Sequence, residues 1–204
     1  MSLLAKVCGI TTAADAQMAL AAGADLVGFV RYPASPRHCA NVHEASRDVG
    51  SRGVLVCVTE NLADAIAEAV SCRLGWLQPY VPASQRHDAM LRVNEAGLKL
   101  LLPWPDRAHQ DVAPADLYLW ETAPSQTGVH GGSGQTHAAL YPPPGSFLLA
   151  GGLDGDNVAE RITALPGEQR AHCRGADAAS RLEASPGVKS IPKPQFFTRA
   201  IHAI

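Results

Sequence analysis

Two hydrophobic periods take turns along the chain. Short apolar runs, continuous in the way of strands buried on both faces, are separated by alanine-rich stretches whose apolar positions recur at helical spacing. The first pair is LLAKVCGI (3–10) and TAADAQMALAAGA (12–24), where Thr12 caps a helix with Asp15 three residues on and Gly23 ends it. Further strands are predicted at DLVGFVR (25–31), GVLVCVT (53–59), LGWLQPY (74–80), LKLLLPW (98–104), LYLWET (117–122), SFLLAGGL (146–153) and GADAAS (175–180). Helices are predicted at VHEASRDVGS (42–51), NLADAIAEAVSC (61–72, begun by Asn61) and PASQRHDAMLRVNEA (82–96). Three more follow: a short one near 106–113, DNVAERITAL (156–165) with Asp154 or Asp156 near its cap, and QFFTRAIHAI (195–204). Eight strand signals alternating with helical ones define an α/β chain. A small (β/α)8 (TIM) barrel fits the count, while alternation alone also admits a doubly wound open sheet.

Composition narrows the class. A length of 204 residues suits one domain, expected to span 1–204, and 47% hydrophobic with 18% charged residues excludes a disordered chain or a fibre. The formal net charge of -2 lacks the basic excess of a nucleic-acid binder. No run approaches the roughly 18 apolar residues of a membrane span, and the opening stretch is too short and interrupted for a signal peptide. Five cysteines, odd in number and without a CxxC pair, read as reduced thiols of a cytoplasmic protein rather than a disulfide framework or zinc site.

In either parallel architecture the chemistry belongs at the C-terminal ends of strands. Cys8 ends the first, with Lys6 two residues earlier on the same face; a nearby cation that draws the thiol pKa toward neutrality makes it a base, and a buried inert thiol is the plain alternative. Glu121 is the only acid of LYLWET, either a general acid raised by partial burial or a solvated loop residue. Arg37, presented by the proline-bearing loop YPASPRH (32–38), offers a fork for a carboxylate. GVHGGSGQT (128–136) nearly matches a phosphate-binding loop but has Gln135 where lysine is required, so it reads as a lid or helix-approach loop, with His130 and His137 as loop residues. Gly151 and Gly152 precede a helix N-terminus, and Ser180 ends the neighbouring strand, a pairing suited to a phosphate.

Taken together, KVCGIT (6–11), GADLVGFVRYPASPRH (23–38), LLAGGLDGDNV (148–158) and GADAASRLEASPGVK (175–189) resemble, in order and spacing, the phosphoribosylanthranilate isomerases of tryptophan biosynthesis. The resemblance spans nearly the whole chain and implies a (β/α)8 barrel. It also implies an Amadori rearrangement of a phosphorylated small molecule without metal or organic cofactor, in a monomer or homodimer with no nucleic-acid or membrane partner. By resemblance, Cys8 is the base and Glu121 stands where the family has an aspartate as acid. Arg37 matches the carboxylate-binding arginine, Asp177 the aspartate near the substrate hydroxyls, and Gln78 the one retained residue of a Gln-Leu-His-Gly strand end. Gly151, Gly152 and Ser180 match the phosphate cradle, where Ser-Ser-Gly has become Ala179-Ser180-Arg181. Arginine there loses the close backbone approach of glycine and brings a positive charge instead.

Overall fold

The computed structural model describes residues 2–105, 113–121 and 141–204. Eight parallel strands close on themselves in chain order: β1 (Leu4–Cys8), β2 (Leu26–Arg31), β3 (Gly53–Val58), β4 (Trp76–Tyr80), β5 (Lys99–Pro105), β6 (Leu117–Glu121), β7 (Phe147–Leu149) and β8 (Cys173–Ala178). Closure is made by β8 on β1, with Lys6 opposite Asp177 in the register. The sheet is therefore the closed barrel, and the open doubly wound alternative is excluded.

Side chains alternate between two apolar layers, as the two-residue period of a strand requires. Outward-pointing residues such as Val7, Phe29, Leu55, Leu77, Leu102 and Trp120 pack under the helices. Inward-pointing Leu26, Val54, Val56, Leu101, Leu119 and Leu148 fill the barrel, and the same inner layer includes Cys8 and packs against Tyr80. Apolar filling ends at the strand C-termini, where Lys6, Gln78, Glu121 and Asp177 occupy buried positions.

Seven helices lie among the described residues: α1 (Ala13–Ala21), α2 (Val42–Ser46), α3 (Leu62–Ser71), α4 (Ala83–Glu95), α5 (Val158–Thr163), α6 (Gly167–His172) and α7 (Pro192–His202). Thr12 accepts from the Asp15 amide and Asn61 from the Ala63 and Asp64 amides, the caps expected of them. The helix expected over 42–51 is shorter, because Gly50 turns into the left-handed region at φ 61 and a 3-10 turn, Gly50–Arg52, leads into β3. Two elements were not expected: α6, and an antiparallel hairpin of β9 (Glu183–Ser185) and β10 (Val188–Lys189). The last helix begins earlier than residue 195, at Pro192, a residue suited to the first helical position. The helix expected near 106–113 lies, but for Ala113, outside the described residues, as does the glycine-rich segment 128–136 with its flanking His130 and His137. Among the described residues no helix is long and apolar enough to cross a membrane.

Candidate active site

A single cleft at the C-terminal mouth of the barrel is lined by Cys8, Arg37, Gln78, Tyr80, Glu121 and Asp177, among others. Five of the residues expected from the sequence therefore meet there, drawn from β1, β4, β6, β8 and the loop after β2. A neighbouring cavity of about 360 Å³ shares Val58, Tyr80 and Glu121 with this cleft.

Lys6 and Cys8 point inward because they sit two residues apart on β1. Lys6 Nζ donates to Asp177 Oδ1 at 2.6 Å and is fully buried. Burial works against its charge, yet the Asp177 carboxylate, followed by Cys8, overrides this and holds the ammonium pKa above its ordinary value. Of the two sequence readings of Cys8, the one in which the cation draws the thiol toward neutrality is not met in the substrate-free site. Burial raises the Cys8 pKa, Lys6 lowers it, Asp177 raises it again, and the balance lies above the ordinary value of 9.0. The thiol meets β2 at Gly28, where an added Cβ would stand 2.8 Å from Sγ.

Glu121 is buried rather than solvated, with 5% of its surface exposed. Burial pushes its carboxyl up to about 7, against the opposing hydrogen bond from Tyr80. Tyr80 Oη donates to Glu121 Oε1 at 2.6 Å, and Gln78 Nε2 approaches Tyr80 Oη at 3.4 Å. The Gln78 Oε1 atom is buried and meets no hydrogen-bond donor among the described residues. Tyr80 was missed by sequence reasoning: it shares a strand face with Gln78, two residues earlier, but nothing local in the sequence marks its bond to Glu121.

Arg37 is held by successive turns, with Ser35 donating its amide to Tyr32 and His38 its amide to Ser35. Its Nε and Nη2 donate to Glu183 Oε1 and Oε2 at 2.8 and 2.9 Å, and Lys189 Nζ donates to the same Oε1 at 2.9 Å. The side edge of the guanidinium is thus engaged by the unforeseen hairpin. Among the described residues two of its five N–H donors are engaged, both on that side edge, and a guanidinium bound so has an end edge whose geometry suits a second carboxylate. Burial lowers the Lys189 pKa, opposed by Glu183.

The four residues assigned to a phosphate do not line this cleft. Gly151 and Gly152 follow β7 with φ of 100° and 62°, conformations that favour glycine, and the Gly152 carbonyl accepts from Asn157 Nδ2 at 2.9 Å. Ser180 and Arg181 open a 3-10 turn after β8. Among the described residues Arg73 is the only non-glycine with positive φ, so arginine at 181 carries no backbone strain in place of glycine. Arg181 Nη1 donates to Asp154 Oδ2 at 2.9 Å, joining the turns after β7 and β8. No group of three or more His, Cys, Asp or Glu among the described residues is placed to hold a metal ion.

No family model matches the chain. The N-(5'-phosphoribosyl)anthranilate isomerase of Rhodopseudomonas palustris (strain BisB18) is 34% identical over 226 residues, an alignment covering 100% of this chain and 97% of that protein. Among solved structures, TrpF from Jonesia denitrificans superposes with a TM-score of 0.77 at 31% identity, covering 98% of this chain and 97% of the other. Phosphoribosyl anthranilate isomerase from Thermus thermophilus gives a TM-score of 0.75 at 24% identity over 98% and 99%, a likeness that speaks for the fold alone.

Proposed function

Since the chain belongs to the N-(5'-phosphoribosyl)anthranilate isomerase family, we propose that Cys8 and Glu121 are the base and acid of its reaction. The chain is an aldose–ketose isomerase of tryptophan biosynthesis, and it carries out the Amadori rearrangement of N-(5'-phosphoribosyl)anthranilate. Glu121 gives its proton to the ribose ring oxygen as the C1′–O bond breaks and the anthranilate nitrogen lone pair forms a Schiff base. Cys8, as thiolate, takes the C2′ proton, and the electrons left behind form the enolamine and neutralise the nitrogen. Loss of the enol proton and protonation at C1′ then give the ketone.

The observation that carries this reading is the meeting, in one cleft, of a thiol beside a buried ammonium with a carboxyl held near 7. A carboxyl at that value is protonated in a useful fraction of molecules at neutral pH. The productive pair, Glu121 acid and Cys8 thiolate, has the same charge as its tautomer, Glu121 carboxylate and Cys8 thiol. Both exist between loss of the first proton, at about 7, and loss of the second, above 9.0. Activity therefore rises with pH near 7 as Glu121 leaves the doubly protonated state and falls when Cys8 also ionises.

The end edge of Arg37 takes the anthranilate carboxylate, Gln78 Oε1 accepts an N–H or hydroxyl of the substrate, and the second oxygen of Asp177 accepts a ribose hydroxyl. Gly151, Gly152 and Ser180 cradle the phosphate, and Arg181 contributes charge to it. Five free, buried thiols support a cytoplasmic setting. The test is the loss of substrate fluorescence, with substrate generated in situ from anthranilate, for the wild type and Cys8→Ala. Turnover is expected in the first and collapse in the second with substrate-analogue binding kept; an undiminished rate in Cys8→Ala removes it as the base.

A further inference from the structure

Tyr80 ends β4 on the inward face, between Gln78 and Glu121, and stands on the wall common to the cleft and the adjoining cavity. Its hydroxyl donates to Glu121 Oε1 and receives the longer approach of Gln78 Nε2, so the contact runs from β4 to β6 through the cleft. An acid that protonates one particular atom must present one oxygen in one place, and a misplacement of about 1 Å costs on the order of 100-fold in rate. A glutamate side chain has three torsions to settle before it does so. An oxygen that already accepts the tyrosine proton is also the poorer place for the carboxyl's own proton.

We propose that Tyr80 is a positioning residue for Glu121: oriented by Gln78, its hydroxyl fastens Oε1, holds the acid still, and leaves Oε2 as the oxygen that carries and delivers the proton. This rests on Glu121 being the acid. Two consequences of removing the hydroxyl run in opposite directions. Losing a donor to the carboxylate raises the Glu121 pKa, which enlarges the protonated fraction and on its own favours turnover. Losing the anchor spreads the carboxyl over several positions and lowers turnover.

The experiment is Tyr80→Phe, with kcat and KM measured from about pH 5 to 10, beside Glu121→Gln and Tyr80→His. The Glu121 carboxyl titration is followed separately in the substrate-free enzyme by isotope-edited infrared spectroscopy. In Tyr80→Phe we expect kcat to fall roughly tenfold or more, with KM changed by less than about threefold. The rising limb of the profile and the carboxyl titration should both move up by about one pH unit. Tyr80→His, which keeps a ring N–H donor, should recover part of the loss. A Tyr80→Phe enzyme as fast as the wild type or faster, or a carboxyl titration that does not move, overturns the proposal. Activity retained in Glu121→Gln removes the acid assignment and this proposal with it. An inactive Glu121→Gln beside an unslowed Tyr80→Phe removes only the role of Tyr80.

Discussion

Gly28 shows how little room the base has. It faces Cys8 in the β1–β2 register, and a methyl at that position would lie 2.8 Å from Sγ and 3.3 Å from Lys6 Nζ. Gly28→Ala must therefore displace the thiol or the buried ammonium, and kcat/KM is expected to fall by about 100-fold, checked by the same fluorescence assay and by the circular dichroism of the variant. A variant that is folded and as active as the wild type would show that the thiol tolerates displacement and is not positioned for chemistry. The role of Asp177 came from the family resemblance, while Cys8 and Glu121 were legible in the sequence because each is a polar or reactive residue at the end of an apolar run, a place where burial has to be explained. Tyr80 was not, since an aromatic ring ending a strand is ordinary and its meaning lies in a hydrogen bond to a residue 41 positions away. Nor was the pairing of Arg37 with Glu183, 146 positions apart, because no spacing rule joins a loop after the second strand to a hairpin after the eighth.

The turns after β7 and β8 meet at Asp154. Asp154 serves both: Oδ1 accepts from the Asp156 and Asn157 amides at the start of α5, and Oδ2 accepts from Arg181. A phosphate near Arg181 would compete with that carboxylate for the guanidinium. Arg181→Ala is expected to raise KM about tenfold with kcat little changed, the size of one charge-assisted hydrogen bond. Asp154→Asn frees the arginine and is expected to lower KM, an effect that salt should weaken because this ion pair is partly exposed. A KM unmoved by both substitutions would place the phosphate elsewhere. Strands and caps were readable because their signals are local, as with the Asn61 and Thr12 caps. The early end of α2 depends on Gly50 taking a left-handed turn into β3, the hairpin β9–β10 is held through Glu183 by Arg37 and Lys189, and the short helix α6 buries no residue, so local apolar pattern under-reported all three.

Closing eight strands into a barrel buries most inward side chains, and at the C-terminal mouth these include groups that titrate, Lys6, Cys8, Glu121 and Asp177. Glu121 bears the cost of that placement. Its carboxyl rises from an ordinary 4.5 to about 7, so the folded protein holds a proton over a pH range in which the unfolded chain has released it. Stability linked to this group is therefore present below about pH 4.5, is lost progressively as pH rises toward 7, and stays lost above. A shift of this size corresponds to about 3 kcal/mol. Glu121→Gln keeps the shape and an acceptor for Tyr80 but cannot ionise, so it should melt higher than the wild type at pH 8 and nearly level with it at pH 4. Thermal unfolding of both proteins across that range measures the difference directly. A melting-temperature gap that is constant with pH would mean that Glu121 ionises without strain in the folded barrel. The same result would take away the raised pKa on which its use as an acid near neutrality depends. The variant predicted to lose turnover is thus also the variant predicted to gain stability, because one buried carboxyl is responsible for both.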